Sequence, residues 1–445
     1  MNLSATAPSA TTPRAAAPRV ATLPNGVRVL TCELPHLASA CVSVFVRAGS
    51  VHEARRFSGI GHVVEHMVFK GTRTRDRRRI NLEAELLGAD VNAHTDKDHT
   101  AFHLRGLGAD APTFVHMLGD LVLNATFPAD ELESERQVLL SEYAEDEDDA
   151  LSTAFKLLDH ASWGLHPFGQ PVIGTRRHIE RFTREDLAAH VQRLYTGCNV
   201  IVAAAGAIDV DAVVAAAEAA FGALPAGEPN VVAPAVYGGG LASRHLDVTG
   251  QAHAVLGFPI PPLAADDGAA TLAAAVLGEG MSSPLMERLR EERALVYYAA
   301  CSADVFDVGA QFVIEASMAP EHLDEVVGEA LRLVRAQAQG VAAVDLERAR
   351  RQVLVRRLRD AERPDRLLET AALDLFVLGR VRPLAERAAQ IEALDAHAVS
   401  AEFRRLLAAG PSVAVTGQVG RGVRERLRRL VEPIQATKAP TPTSN

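Results

Sequence analysis

Cysteine is scarce in this chain of 445 residues: Cys32, Cys41, Cys198 and Cys301 are all there is, with no C-x-x-C pair among them. A disulfide-stapled scaffold is thereby excluded, and the usage fits a reducing compartment. Concentrated positive charge is also missing. Lys+Arg 46 against Asp+Glu 56 leaves a formal net charge of −10, and no basic block is dense enough to follow a phosphate backbone. Nucleic acid is therefore not an expected partner. Nor is there a long unbroken apolar run: the stretch 199–225 is interrupted by Asp209, Asp211 and Glu218, which a bilayer core would penalise. Residues 1–18 lack the apolar segment of a secretory signal, and Pro8, Pro13 and Pro18 would break the amphipathic helix of a transit peptide. The expectation is a cytoplasmic protein with no membrane partner.

What is present is ample material for cores, with a hydrophobic share of 48%. The length corresponds to about three domains of roughly 150 residues, or to two large ones. The one Pro/Gly-rich stretch in the middle runs from Leu224-Pro-Ala-Gly to Tyr237-Gly-Gly-Gly. We accordingly divide the chain into a flexible lead (1–18), a first domain (19–223), a linker (224–240), a second domain (241–432) and a disordered tail (433–445).

The halves read alike. In the first, 39–47 alternates like a half-buried strand, helical periodicity follows from about Gly59, 100–107 is strand-like, and helices follow at about 111–123 and 130–148. In the second, a strand at 252–258, helical stretches around Leu272 and Leu285, a strand at 311–316 and helices from about Pro320 keep that order. Arg136-Gln-Val-Leu139 recurs as Arg351-Gln-Val-Leu354, an offset of 351 − 136 = 215. The pattern implies a tandem duplication of an α+β domain, each copy a mostly antiparallel sheet with helices packed on one side. At this offset Glu135 and Glu142 map onto Arg350 and Arg357.

The strongest chemical signal is at 62–66, His-Val-Val-Glu-His. Helical spacing puts His62 and His66 one turn apart on one face, where two imidazoles can reach a single metal ion. Glu65 lies on the flank of that turn, placed to contact a metal-bound water rather than the metal. Zinc suits imidazole and carboxylate donors but needs a third protein ligand. The acidic helix from about Asp130 offers Glu133, Glu135, Glu142 and Glu145. Glu135 and Glu142 are two turns apart on a face that runs inward with Leu132, Val138 and Leu139.

These residues resemble the inverzincin metallopeptidases of the pitrilysin, insulin-degrading enzyme and mitochondrial processing peptidase type, in their short two-domain branch. The likeness covers about 20–430 and is carried by Leu-Pro-Asn-Gly-Val-Arg-Val (23–29), the segment 59–72 around the histidines, Asn-Ala-His-Thr (92–95) and Glu-Arg-Gln-Val-Leu-Leu-Ser-Glu (135–142). The resemblance implies one Zn2+ per chain on His62, His66 and Glu142, with Glu65 as general base and Glu135 in support of a ligand. It also implies that Asn92 and Ala93 pair with the substrate backbone as an added strand. The segment 278–297 looks like the family's second signature, which makes Arg290 and Tyr297 a substrate-binding pair, with Tyr297 a second donor to the oxyanion. Here Ala294, Val296 and Tyr298 replace the family's usual glycine, alanine and serine, which bears on loop geometry only.

The function so implied is a zinc endopeptidase acting on peptides or unfolded protein segments. Because such proteins close around a chamber made of two two-domain halves, a homodimer is expected in which Arg290 and Tyr297 of one subunit approach the zinc of the other. A heterodimer with a related subunit, in which this chain depends on its partner for catalysis, is the alternative, and a zinc hydrolase acting on non-peptide substrates is a third reading. The acidic balance points toward basic peptides.

Overall fold

The computed structural model describes residues 17–247 and 250–435. The lead lies outside the described residues except for 17 and 18, and the tail except for 433–435, which complete the last helix, Val423–Gln435.

The first half builds a six-stranded sheet from β1 (Arg19–Thr22), β2 (Arg28–Glu33), β3 (Ser39–Val46), β4 (Asp90–Thr95), β5 (Thr100–Leu107) and β6 (Val200–Gly206). Their order is β1-β2-β6-β3-β5-β4, and only β2 and β6 run parallel. The second half builds a five-stranded sheet from β7 (Leu241–His245), β8 (Ala252–Pro259), β9 (Val296–Val305), β10 (Ala310–Met318) and β11 (Ser412–Gly417). Its order is β7-β11-β8-β10-β9, again with one parallel pair, β7 and β11. Strand for strand the second sheet repeats the first without β1. Between the halves, 225–240 runs as irregular chain. It is tied down where Ala235 N–H bonds Val308 O and Gly238 N–H bonds Ser162 O.

Each sheet packs its own half's helices on one face. Val42, Val44 and Val46 of β3 join Phe102, Leu104 and the helix Ala111–Asn124, while Phe312, Ile314 and Met318 of β10 join Leu323–Gln339. The reading of β3 as half-buried gives way here, because Cys41, Ser43 and Phe45 on its opposite face are buried too. That face is covered from the other half. Leu368, Ala371, Ala372 and Leu375 of the helix Pro364–Leu378 pack on Phe45, Ala101 and Ile201 of the first sheet. Reciprocally, Ala154 and Leu158 of the helix Ala150–Trp163 pack on Val255, Val313 and Ala414 of the second. We call these two the exchanged helices.

The duplication stands in the structure with its register moved by one residue. Leu132, Glu135 and Leu139 are the buried positions of the helix Ala129–Asp148, and Leu346, Ala349 and Val353 those of Ala343–Ala361, so that 346 − 132 = 349 − 135 = 353 − 139 = 214. Arg136 and Arg350 agree: each donates to the carbonyl of the residue that ends the next short helix, Phe182 and Leu394. The four-residue identity at an offset of 215 is thus one residue out, and Glu135 and Glu142 correspond to Ala349 and Arg356. Val138 also departs from its inward placement. It is 52% exposed, because it is turned roughly 100° from Leu139 on the helix wheel.

If the exchanged helices hold the halves together, Leu158→Ala should cost about 2–5 kcal/mol, the range for emptying a buried leucine site. The urea midpoint reads this directly, and a change below about 1 kcal/mol would count against it.

Candidate metal centre

The motif lies on the helix Ile60–Met67, which starts from Gly59 at φ 92, a left-handed conformation natural to glycine. Its first amides are held by a side chain that the motif does not show. Glu53 is buried, and its carboxylate accepts from Gly59 N–H at 2.7 Å and Gly61 N–H at 2.8 Å. Burial pushes the Glu53 carboxyl up to about 8, against those two bonds, which favour its anion.

On this anchored helix the rings of His62 and His66 lie 4.7 Å apart, and both turn Nε2 toward Glu142 on the helix Ala129–Asp148. His62 Nε2 is 3.5 Å from Glu142 Oε1 and His66 Nε2 is 3.4 Å from Glu142 Oε2. Donors about 2.0–2.1 Å from a tetrahedral zinc lie about 3.3–3.4 Å from one another, so these separations suit a shared ion better than hydrogen bonds. The donor set fits zinc in chemistry and in size.

Neighbours orient the donors. His66 Nδ1 is 2.9 Å from Glu135 Oε1, and Lys70 Nζ holds the other oxygen of Glu135 at 2.5 Å. Burial works against the His66 cation, yet the Glu135 bond and the Glu142 and Glu65 charges together raise its pKa. Glu142 is held low, chiefly by His62. Glu135 is low too, its burial outweighed by His66 and Lys70. The Nδ1 of His62 is buried without a hydrogen-bond partner among the described residues.

Glu65 stands on the cleft side of the same helix and accepts from Thr95 Oγ1 at 2.7 Å. The cleft is an open cavity of about 440 Å³ whose walls include His62, Glu65, His94, Thr95 and Glu142. Lys97 and Lys156, also in its walls, are paired with Asp159 at 2.8 Å and Asp146 at 2.6 Å. These two pairs are neutral, which leaves Glu65 and Glu142 as the carboxylates of the cleft wall with no lysine or arginine paired with them among its lining residues.

The remaining expected residues lie elsewhere. Asn92 and Ala93 are on β4, the edge strand of the first sheet, and Ala93 N–H is bonded to Asn92 Oδ1 at 2.8 Å. Arg290 sits in the π-helical turn Glu287–Glu292 and Tyr297 is the second residue of β9, 63% exposed. Neither lines the cleft of its own chain. Counting from Gly268, the left-handed start of Ala269–Gly278, the counterparts of His62, Glu65 and His66 are Thr271, Ala274 and Ala275. The second half has no such cluster at the matching place.

The chain is thus two halves of one fold, the first of which carries a zinc-type cluster of its own. The comparisons name the family. Residues 28–176 match Insulinase (Peptidase family M16), and 181–353 match the Peptidase M16 inactive domain. A zinc protease of Mycobacterium bovis is 33% identical over 425 residues, covering 92% of this chain and 96% of that protein. The mitochondrial-processing peptidase subunit beta of Caenorhabditis elegans is 27% identical, covering 90% and 89%. A crystal structure described as a peptidase M16 inactive domain from Pseudomonas fluorescens superposes with a TM-score of 0.83 at 21% identity, over 91% of this chain and 98% of the other. A Helicobacter pylori protease does so with 0.83 at 20%, over 90% and 99%. The chain belongs to peptidase family M16.

Ala294, where the resemblance leads one to expect glycine, has φ 51. A left-handed backbone costs a residue with a Cβ about 1–2 kcal/mol, part of which glycine returns as unfolded-state entropy. Ala294→Gly should therefore raise stability by up to about 1 kcal/mol, read as a higher urea midpoint with an unchanged slope.

Proposed function

We propose that this protein is a zinc-dependent endopeptidase, with His62, His66 and Glu142 as the ligands and Glu65 as the general base. The observation that carries the reading is the convergence of those three donors at zinc-ligand spacing, with His62, Glu142 and Glu65 in the wall of one open cleft. When bound, zinc supplies a Lewis acid that polarises the scissile carbonyl and lowers the pKa of water. Glu65 takes the proton from the attacking water and returns it to the leaving amine. Thr95 fixes one carboxylate oxygen of Glu65 and leaves the other for that transfer. Glu135 holds His66 Nδ1, so that His66 presents its Nε2 lone pair to the ion. The open edge of β4 takes the substrate as an added strand, with the Ala93 amide exchanging Asn92 for a substrate carbonyl.

The position of Arg290 and Tyr297 outside their own cleft supports a dimer in which each subunit lends this pair to the other, Tyr297 donating to the developing oxyanion. A heterodimer keeps some ground from the likeness to a subunit of the mitochondrial-processing peptidase. On this reading the substrates are peptides or unfolded segments met in the cytoplasm, the reducing compartment that four cysteines without a C-x-x-C pair suit. No helix among the described residues is long and apolar enough to cross a membrane.

Glu65→Gln should keep zinc while losing about 10²–10⁴-fold in cleavage of a quenched peptide. Zinc retained with cleavage undiminished would remove Glu65 from the mechanism. Mixing Glu65→Gln with Tyr297→Phe tests the shared site: a mixed dimer holds one complete site, so the mixture should recover roughly a quarter of wild-type activity from two inactive proteins. Recovery of nothing, with dimers verified by mass, would confine each site to one chain.

A further inference from the structure

A second constellation lies on the opposite face of the first sheet from the motif helix. His94 on β4, His99 in the turn to β5 and Glu369 on the exchanged helix Pro364–Leu378 bring three donor atoms together. His94 Nε2 is 3.3 Å from His99 Nε2 and 3.2 Å from Glu369 Oε1, and His99 Nε2 is 3.8 Å from that same oxygen. The point equidistant from the corners of this triangle lies about 2.0 Å from each, the length of a zinc–nitrogen or zinc–oxygen bond.

Each donor is oriented from behind. His99 Nδ1 is 2.8 Å from Asp98 Oδ1, a carboxylate–imidazole pair that turns the Nε2 lone pair inward. His94 Nδ1 is 3.3 Å from His103 Nε2, and His103 Nδ1 is 2.7 Å from Ser43 Oγ, so a relay of two rings does the same for His94. The second oxygen of Glu369 is taken by Arg366 at 3.2 Å. His99 is buried, while His94 is partly exposed and lines the cleft, which gives an ion a way in.

We propose that His94, His99 and Glu369 form a second divalent transition-metal site that ties the edge strand β4 to the helix contributed by the other half. Two imidazoles and one carboxylate are a donor set for zinc, with cobalt, nickel and copper as competitors rather than magnesium or calcium. Its place gives it a role. His94 adjoins Thr95, which holds Glu65, and Glu369 belongs to the helix that covers the sheet, so an ion here fixes the strand beside the base against the other half. The chain then takes two ions in place of the one expected from the motif.

The test is zinc content and cobalt absorption after chelator dialysis and reloading. The proteins compared are wild type, His62→Ala/His66→Ala, His94→Gln/Glu369→Gln and the quadruple variant, each checked for fold by circular dichroism. The expected contents are about two, one, one and none per chain, with tetrahedral cobalt bands persisting in His62→Ala/His66→Ala. Asp98→Asn in that background should weaken zinc about 10–100-fold. One ion in wild type that disappears with His62→Ala/His66→Ala and ignores His94→Gln/Glu369→Gln overturns the second site and leaves the first. One ion with the opposite dependence upholds this site and overturns the first, and no zinc in any protein overturns both.

Discussion

A sheet with helices on one face leaves its other face bare, and this chain closes both of its bare faces by exchange. The first half cannot cover Phe45, Ala101 and Ile201, and the second cannot cover Val255, Val313 and Ala414. Burying such faces is the dominant favourable term in folding, so the two halves are locked to each other rather than strung on a linker. The chemistry depends on that lock. The helix carrying Glu135 and Glu142 ends at Asp148, and Asp149 caps the exchanged helix by accepting from Leu151 N–H and Ser152 N–H. The third donor is thereby held between the motif helix in its own half and an anchor in the sheet of the other.

Within the first half the decisive constraint is the start of the motif helix. Two histidines one turn apart can meet a carboxylate only if the helix axis is fixed, and a helix of eight residues is too short to be stable alone. Glu53 supplies what is missing by taking two of its free amides. Burying that carboxylate is costly, and its bonds to the two amides offset the cost only in part, since burial still pushes the carboxyl up to about 8. Thr95 ties the same helix to β4 by donating to Glu65.

Much of this was legible in the sequence because it depends on helical spacing. His62, Glu65 and His66 are fixed relative to one another by 3.6 residues per turn, and Glu135 and Glu142 by twice that. The burial of β3 on both faces was not legible, since alternation shows one apolar face and the packing on the other comes from residues more than 300 positions away. The exchange was not legible for the same reason: periodicity tells that a helix face is buried, not against which sheet. Glu53 gave no signal, being a single acid in a loop. His94 lay in the segment 92–95 and His103 in the strand-like stretch 100–107, but Glu369 meets His94 and His99 only through the exchange. The repeat Arg-Gln-Val-Leu misled by one position because the core residue is its leucine, Leu139, in the first copy and its valine, Val353, in the second.

The duplication explains why one half kept the zinc-type donors and the other did not. At the matching positions the second half has Ala274, Ala275 and Ala349, all buried, with Thr271 beside them and Arg356 in place of Glu142. Small apolar side chains there let the helices Ala269–Gly278 and Ala343–Ala361 approach each other and build a continuous core. Donors that converge on an ion keep helices apart and leave an open cleft, which costs packing. With both copies joined by exchange, the fold can bear that cost once, in the half that carries the donors, because the other half restores the packing and lends its helix to cover the first sheet.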